Sequence, residues 1–120
     1  MVTGTMEINA SSLDGAWLLE VAGDIDLTNV NVFIERLFEL SVDGDQKIVL
    51  DMCDVEFIDS TVLNALFAAA PRIRANGGDM TIVVANSSVV RAMEISGVDV
   101  LYRMVRTRRQ AVERLGVVPE

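Results

Sequence analysis

Two short, nearly continuous apolar runs constrain the fold of this chain most strongly. They are KIVLDMC at residues 47–53 and MTIVVA at residues 80–85. A strand that is apolar on both sides must be covered on both faces, as in parallel sheets. Parallel neighbours need a crossover connection, which is usually a helix. Both runs are followed by segments with helical spacing, so the sequence predicts β–α–β units.

The segments around these runs complete the pattern. Residues 6–9 and 16–22 predict two strands, and Leu13-Asp14-Gly15 predicts a hairpin turn between them. The other predicted elements are a helix opened by Thr28 or Asn29, a helix from Leu63 to Asn76-Gly77-Gly78 containing Pro71, a helix opened by Ser87 or Ser88, a short strand near 101–105 and a helix over 107–115. We therefore predict an α/β fold: a mixed β-sheet of about four to five strands with an N-terminal hairpin, packed by about four α-helices.

The length of 120 residues fits a single domain over 1–120, and we expect flexible termini at 1–5 and 116–120. No apolar run approaches the roughly 20 residues of a membrane span. The N-terminus lacks the charged and apolar regions of a signal peptide. The single cysteine, Cys53, excludes an intramolecular disulfide and fits a reducing compartment. These features predict a cytoplasmic protein without membrane contact.

The absence of histidine narrows the chemistry that the chain can perform. It removes Ser-His-Asp and Cys-His constellations together with histidine-based metal sites. The carboxylate pairs Asp24/Asp26 and Asp51/Asp54 come without a second cluster that would complete an acid–base or metal site. We therefore expect no enzymatic activity, no cofactor and no metal.

The formal net charge of −8 argues against nucleic acid as a partner, because phosphate contacts require lysine and arginine. The charge is also uneven: residues 1–59 hold 13 of the 18 acidic side chains, with only Arg36 and Lys47 as bases. Five arginines lie near the C-terminus: Arg103, Arg106, Arg108, Arg109 and Arg114. We interpret them as a solvated helix face that faces an acidic body.

The stretch Asp59-Ser60-Thr61 places two adjacent hydroxyls where a helix should begin. One reading is structural, with Ser60 or Thr61 as the cap of the helix. The other reading is functional, because helix starts that follow strands lie along one edge of an α/β sheet. The sequence offers no candidate base that would activate either hydroxyl as a nucleophile.

Three motifs, in order, give the chain a resemblance to the STAS domain family. The "G-E-[IL]-D" turn after the second strand corresponds to Gly23-Asp24-Ile25-Asp26. The "[FY]-[MI]-D-S-[ST]-G-L" segment corresponds to Phe57-Ile58-Asp59-Ser60-Thr61-Val62-Leu63, and the "SG[LV]" turn to Ser96-Gly97-Val98. The sequence resembles in particular the small single-domain anti-sigma factor antagonists of this family.

The resemblance implies a switch protein, an anti-sigma factor antagonist without catalytic activity. Ser60 would be phosphorylated by a cognate anti-sigma factor, itself a Ser/Thr protein kinase with a histidine-kinase-like ATPase fold. The unphosphorylated form would bind that kinase and release a sigma factor, and a PP2C-type phosphatase would reset the switch. Thr61 is the second choice of acceptor, and a monomer or weak dimer is expected.

We call the residues expected to bind the partner the docking edge. They are Asp24, Asp26, Thr28, Asn29, Asp59, Ser60, Thr61 and Val62. Val62 replaces the usual glycine of the family, and we expect its branched side chain to crowd the approach of a kinase. Two other readings stay open: a non-phosphorylated STAS scaffold subunit of a stress-signalling or transport-regulating complex, and a small-molecule site around Asp26, Asn29 and Asp59.

Overall fold

The computed structural model describes residues 5–116, so most of the expected flexible termini, residues 1–4 and 117–120, lie outside the described residues. Ten elements follow one another along the described part of the chain. They are β1 (Met6–Leu13), β2 (Ala16–Ile25), α1 (Val30–Ser41), β3 (Lys47–Ile58), α2 (Ser60–Ala75), β4 (Asp79–Val83), α3 (Ser87–Ser96), α4 (Val98–Leu101), β5 (Arg103–Val105) and α5 (Arg108–Leu115).

The five strands form one mixed sheet in the order β1-β2-β3-β4-β5. Strands β1 and β2 pair antiparallel, whereas β2, β3, β4 and β5 are parallel to one another. The predicted α/β fold with its N-terminal hairpin is confirmed. The described chain has five helices instead of about four, because one further turn, α4, follows the break at Gly97.

The hairpin turn consists of two residues in the left-handed region, Asp14 (φ 48°) and Gly15 (φ 87°). Such a turn matches the twist of the flanking strands and fixes their register. Strand β1 is longer than the predicted 6–9, because Ser11 and Ser12 pair with β2 opposite Leu18 and Trp17. Pairing therefore overrides the low strand preference of the serines.

The two faces of the sheet are covered unequally. Helices α1 to α4 pack on one face over an aliphatic core that includes Leu50 and Ile82. Among residues 5–116, α5 is the one helix that packs on the other face, through Ala111, Val112 and Leu115. Strand β3 contributes to both cores, since Ile48 lies in the first and Val49 in the second, which explains its continuous apolar pattern.

Arg108 ties α5 to the sheet. Its Nε lies 2.7 Å from Oδ2 of Asp51, and its Nη2 lies 2.7 Å from Oε2 of Glu20. Burial alone would raise the pKa of Asp51, but the Cys53 N–H and Arg108 together lower it below its ordinary value. The arginine-rich end thus has exposed side chains, as expected, and one of them anchors the last helix.

Helix α2 continues through Pro71 and ends at Ala75. The expected stop is confirmed, since Asn76 is the C-cap and Gly77 adopts φ +75°. Not every apolar side chain of α2 is buried, since Phe67 is 38% exposed.

Candidate functional site

The two halves of the docking edge leave the sheet side by side. In the parallel pair of β2 and β3, Asp24 lies opposite Phe57 and Ile25 lies opposite Ile58. Each strand ends at that point, so the loop before α1 and the start of α2 emerge at the same edge of the sheet. The structure therefore brings together two segments that lie more than 30 residues apart in sequence.

Asp59 caps helix α2. Its backbone is extended (φ −110°, ψ −178°), and its Oδ1 accepts hydrogen bonds from the N–H groups of Thr61 (3.0 Å) and Val62 (3.4 Å). The expectation that Ser60 or Thr61 caps the helix is wrong, because the side chain one position earlier already satisfies these donors. An N-cap carboxylate of this kind also suits the positive end of the helix dipole.

Ser60 is consequently the first residue of α2, and its side chain is exposed. Its hydroxyl makes no hydrogen bond to any of residues 5–116. Thr61 differs: it is half-buried, and its Oγ1 donates to Oδ1 of Asp59. Of the two adjacent hydroxyls, only that of Ser60 is both exposed and without a partner in the described chain.

The loop between β2 and α1 is built from side-chain hydrogen bonds. Oδ1 of Asp26 accepts from the Thr28 N–H (2.9 Å) and from the Thr28 hydroxyl (2.5 Å). Oδ1 of Asn29 accepts from the Asp26 N–H (2.9 Å), and its Nδ2 donates to the carbonyl oxygen of Asp24 (2.9 Å). Helix α1 begins at Val30, and Asn29 occupies its N-cap position, where its side chain braces the loop and makes no cap hydrogen bond.

A single carboxylate joins the two segments. The N–H of Leu27 donates to Oδ2 of Asp59 at 3.1 Å, while Oδ1 of the same carboxylate caps α2. Burial would by itself raise the pKa of Asp59, but the hydrogen bonds from Thr61, Leu27 and Val62 lower it below its ordinary value. The carboxylate therefore stays ionised near neutral pH and holds both loops of the docking edge.

The expectation that Val62 crowds the approach of a kinase is wrong. Its side chain is fully buried in the core beneath α1 to α4. It therefore neither crowds the space in front of Ser60 nor offers side-chain atoms to a partner. Its backbone N–H is its contribution to the site, through the bond to Asp59.

The backbone of Thr5 approaches Gly23, the first residue of the turn motif, so closely that only glycine fits there. Its φ is +91°, and a Cβ at this position would lie 2.2 Å from the carbonyl oxygen of Thr5. The next residue, Asp24, is half-buried and donates its N–H to that same oxygen at 3.0 Å. The glycine thus lets β1 run tightly against the start of the docking edge.

The polar side chains of the edge are largely engaged with one another. Asp26, Asn29 and Asp59, the residues considered for a small-molecule site, all accept or donate within the two loops. Residues 5–116 hold no group of three or more Cys, Asp or Glu side chains that could bind a metal ion. No helix in the same range is long and apolar enough to cross a membrane.

Leu27 is the residue of this site that sequence reasoning missed. Its side chain is 71% exposed between the two polar positions Asp26 and Thr28. A leucine placed inside a polar loop of a turn motif was a usable signal, because such a residue has no helical or strand periodicity to bury it.

Comparison with known families agrees with this architecture. The sequence model of the STAS domain matches residues 7–111, and the chain therefore belongs to the STAS domain family. The anti-sigma-F factor antagonist RsfB of Mycobacterium tuberculosis is 25% identical over 108 residues, which cover 90% of this chain and 88% of RsfB.

Solved structures show the same fold. An anti-sigma factor antagonist from Mycobacterium paratuberculosis superposes with a TM-score of 0.84 at 20% identity, covering 93% of this chain and 95% of that chain. The anti-sigma factor antagonist SpoIIAA in its unphosphorylated form gives a TM-score of 0.76 at 14% identity, covering 95% of this chain and all (100%) of that chain. SpoIIAA of Bacillus in its phosphorylated form gives a TM-score of 0.67 at 14% identity, covering 90% of this chain and 98% of that chain.

Proposed function

We propose that this protein is an anti-sigma factor antagonist that acts by binding and not by catalysis. Its unphosphorylated form binds an anti-sigma factor through the docking edge and thereby releases a sigma factor, and phosphorylation of Ser60 ends the binding. The observation that carries the proposal is the exposed Ser60 hydroxyl beside Asp59, the residue that joins the two loops. The names of the relatives support the same role.

In this proposal the partner supplies the chemistry. The anti-sigma factor is a Ser/Thr protein kinase of the histidine-kinase-like ATPase fold, and it transfers the γ-phosphoryl group of ATP to Oγ of Ser60. The proton of the hydroxyl leaves to a base on the kinase, since no side chain among residues 5–116 hydrogen-bonds to that hydroxyl. A PP2C-type phosphatase then hydrolyses the phosphoserine and resets the switch.

Ser60 is the better acceptor of the two hydroxyls. The Thr61 hydroxyl is held by Asp59, so a kinase would have to break that hydrogen bond before transfer. Ser60 projects from the first position of the helix and needs no such rearrangement. The buried side chain of Val62 leaves the approach to it open.

The position of Ser60 explains how a phosphate could switch binding without unfolding the domain. A phosphoserine adds about −1.5 to −2 charges, and a helix N-terminus tolerates an anion because of the positive end of its dipole. The phosphate would stand next to the ionised Asp59. Together the two anions would weaken the complex, because a partner surface that fits a hydroxyl would meet a hydrated dianion beside a carboxylate.

The proposal is tested with purified protein, ATP and a panel of histidine-kinase-like anti-sigma factors from the source organism, followed by mapping of phosphate by mass spectrometry. We expect transfer to the wild type and to Thr61→Ala, and none to Ser60→Ala. Transfer to Thr61 in the wild type would overturn the assignment of Ser60. Binding without any transfer would favour the scaffold reading.

A further inference from the structure

The exposed side chain of Leu27 sits on an unusually well-fixed loop. This side chain is 71% exposed, and the loop that carries it is braced on both sides. Asp26 binds Thr28 directly after it, and Asn29 spans the loop from the Asp26 N–H to the Asp24 carbonyl oxygen. The backbone that presents the leucine to solvent is thus held in place.

Asp59 places Leu27 on the same surface as Ser60. The Leu27 N–H is bound to Oδ2 of Asp59, and Ser60 is the residue next to Asp59 in the chain. Phe57, two residues before Asp59, is also 52% exposed. Exposed apolar side chains therefore lie in the same two segments of chain as the residues of the docking edge.

We propose that Leu27 is the apolar anchor of this surface, inserted into a hydrophobic pocket of the anti-sigma factor; this inference rests on the proposed function. A preorganised loop strengthens binding because its backbone has little conformational entropy left to lose. Buried apolar anchors near the centre of an interface commonly account for much of the affinity. Leu27 determines which partner fits, while Ser60 determines whether it stays bound.

The charges around the leucine define the rest of the partner surface. Asp24, Asp26 and Asp59 surround the loop, and within residues 5–116 none of these carboxylates forms an ion pair. Residues 1–59, which include most of the docking edge, are also strongly acidic, with only Arg36 and Lys47 as bases. The pocket that receives Leu27 consequently has a basic rim that attracts these carboxylates, whereas the part of the partner surface that faces Ser60 fits a hydroxyl.

The test measures the affinity of three variants for the same panel of purified anti-sigma factors by biolayer interferometry. Leu27→Ala removes the anchor, Leu27→Met keeps an apolar side chain of similar size, and Ile95→Ala is the matched control, since Ile95 is 76% exposed on α3. We expect Leu27→Ala to weaken binding at least tenfold, on the order of the loss seen at interface anchors. Leu27→Met and Ile95→Ala should stay within about threefold of the wild type, a range expected for peripheral contacts.

The outcomes separate the two proposals. Unchanged affinity of Leu27→Ala for an anti-sigma factor that the wild type binds would overturn the anchor and leave the proposed function standing. Equal losses for Leu27→Ala and Ile95→Ala would also overturn it, because the effect would not be specific to the docking edge. Failure of the wild type to bind any member of the panel would overturn both.

Discussion

The N–H of Leu27 donates to Oδ2 of Asp59 across 32 positions of sequence, at a distance of 3.1 Å. The other oxygen of that carboxylate accepts from Thr61 and Val62 at the start of α2. One side chain therefore determines both where the second helix begins and where the loop before the first helix lies. The proposed switch, Ser60, is the residue directly attached to this junction.

Removing the Asp59 carboxylate should affect stability and binding together. We expect Asp59→Ala to lower the free energy of unfolding by about 1–2 kcal/mol, the usual cost of losing an N-cap, and to weaken binding to the anti-sigma factor because the Leu27 loop is released. Urea denaturation and an affinity measurement check the two parts.

The matched control for this variant is Asn86→Ala. Asn86 caps α3 in the same manner, with Oδ1 accepting from the N–H groups of Ser88 (2.9 Å) and Val89 (3.3 Å). The Asn86→Ala substitution should lower the free energy of unfolding by a similar amount and leave the affinity for the anti-sigma factor unchanged. If both variants lost binding equally, the loss would reflect reduced stability and the bridging role of Asp59 would be rejected.

Gly23→Ala should be more damaging than an alanine at another glycine with positive φ. A Cβ at Gly23 would meet the Thr5 carbonyl oxygen at 2.2 Å, whereas at Gly116 (φ +67°) it would meet nothing within 4 Å. We expect a loss of about 1 kcal/mol for Gly116→Ala from backbone strain alone, and about 2 kcal/mol or more for Gly23→Ala, where the clash is added. Thermal or urea unfolding of the two variants measures the difference, and equal losses would contradict the close approach of β1.

The ion pairs of Arg108 should make stability depend on pH in the acid range. The folded-state pKa of Asp51 is lowered from its ordinary 3.8, with Arg108 among the causes. Such a group stabilises the fold above its ordinary pKa, and this contribution is lost as the pH falls through the folded-state pKa. Arg108→Met should therefore cost about 1–3 kcal/mol at pH 7 and show a smaller further loss than the wild type as the pH falls below 3.8.

Arg109→Met serves as the control for that measurement, because Arg109 is exposed in the same helical turn and forms no ion pair within the described residues. Its unfolding free energy should follow the wild type at every pH. If the unfolding free energy of the wild type and of Arg108→Met fell identically in acid, Arg108 would not contribute to the lowered pKa of Asp51.

The parts of the fold that could be predicted from sequence are those with an unambiguous pattern. Strand β3 is apolar on both sides because Ile48 and Val49 enter different cores, and the Asp14-Gly15 turn needs two left-handed residues that few other pairs supply. The order of strands and helices followed from these signals. The N-terminal strand was predicted too short, because Ser11 and Ser12 are held by their partner strand and not by their own preference.

The site was harder to predict because several neighbouring residues compete for the same role. Asp59, Ser60 and Thr61 are all good N-caps, and the choice depends on Ile58 still being paired to β2, which is a tertiary fact. The same ambiguity recurs at α3, where Asn86 and not Ser87 or Ser88 is the cap.

The buried face of α2 was ambiguous for a related reason. The helix is apolar over much of its circumference, so its pattern does not fix which side faces the core. Once Asp59 begins the helix, Val62, Leu66, Ala69 and Ile73 are turned inward. The inward position of Val62 thus follows from a cap that local sequence could not single out.

The most direct test of the central claim compares the affinity of one anti-sigma factor for the unphosphorylated protein and for the same protein carrying phosphate on Ser60. The account predicts at least a tenfold loss of affinity on phosphorylation, about 1.4 kcal/mol or more, with a melting temperature within about 2 °C of the unmodified protein, because the helix N-terminus tolerates the anion. Equal affinity of the two forms, or a weakened complex that merely follows a large fall in melting temperature, would contradict it.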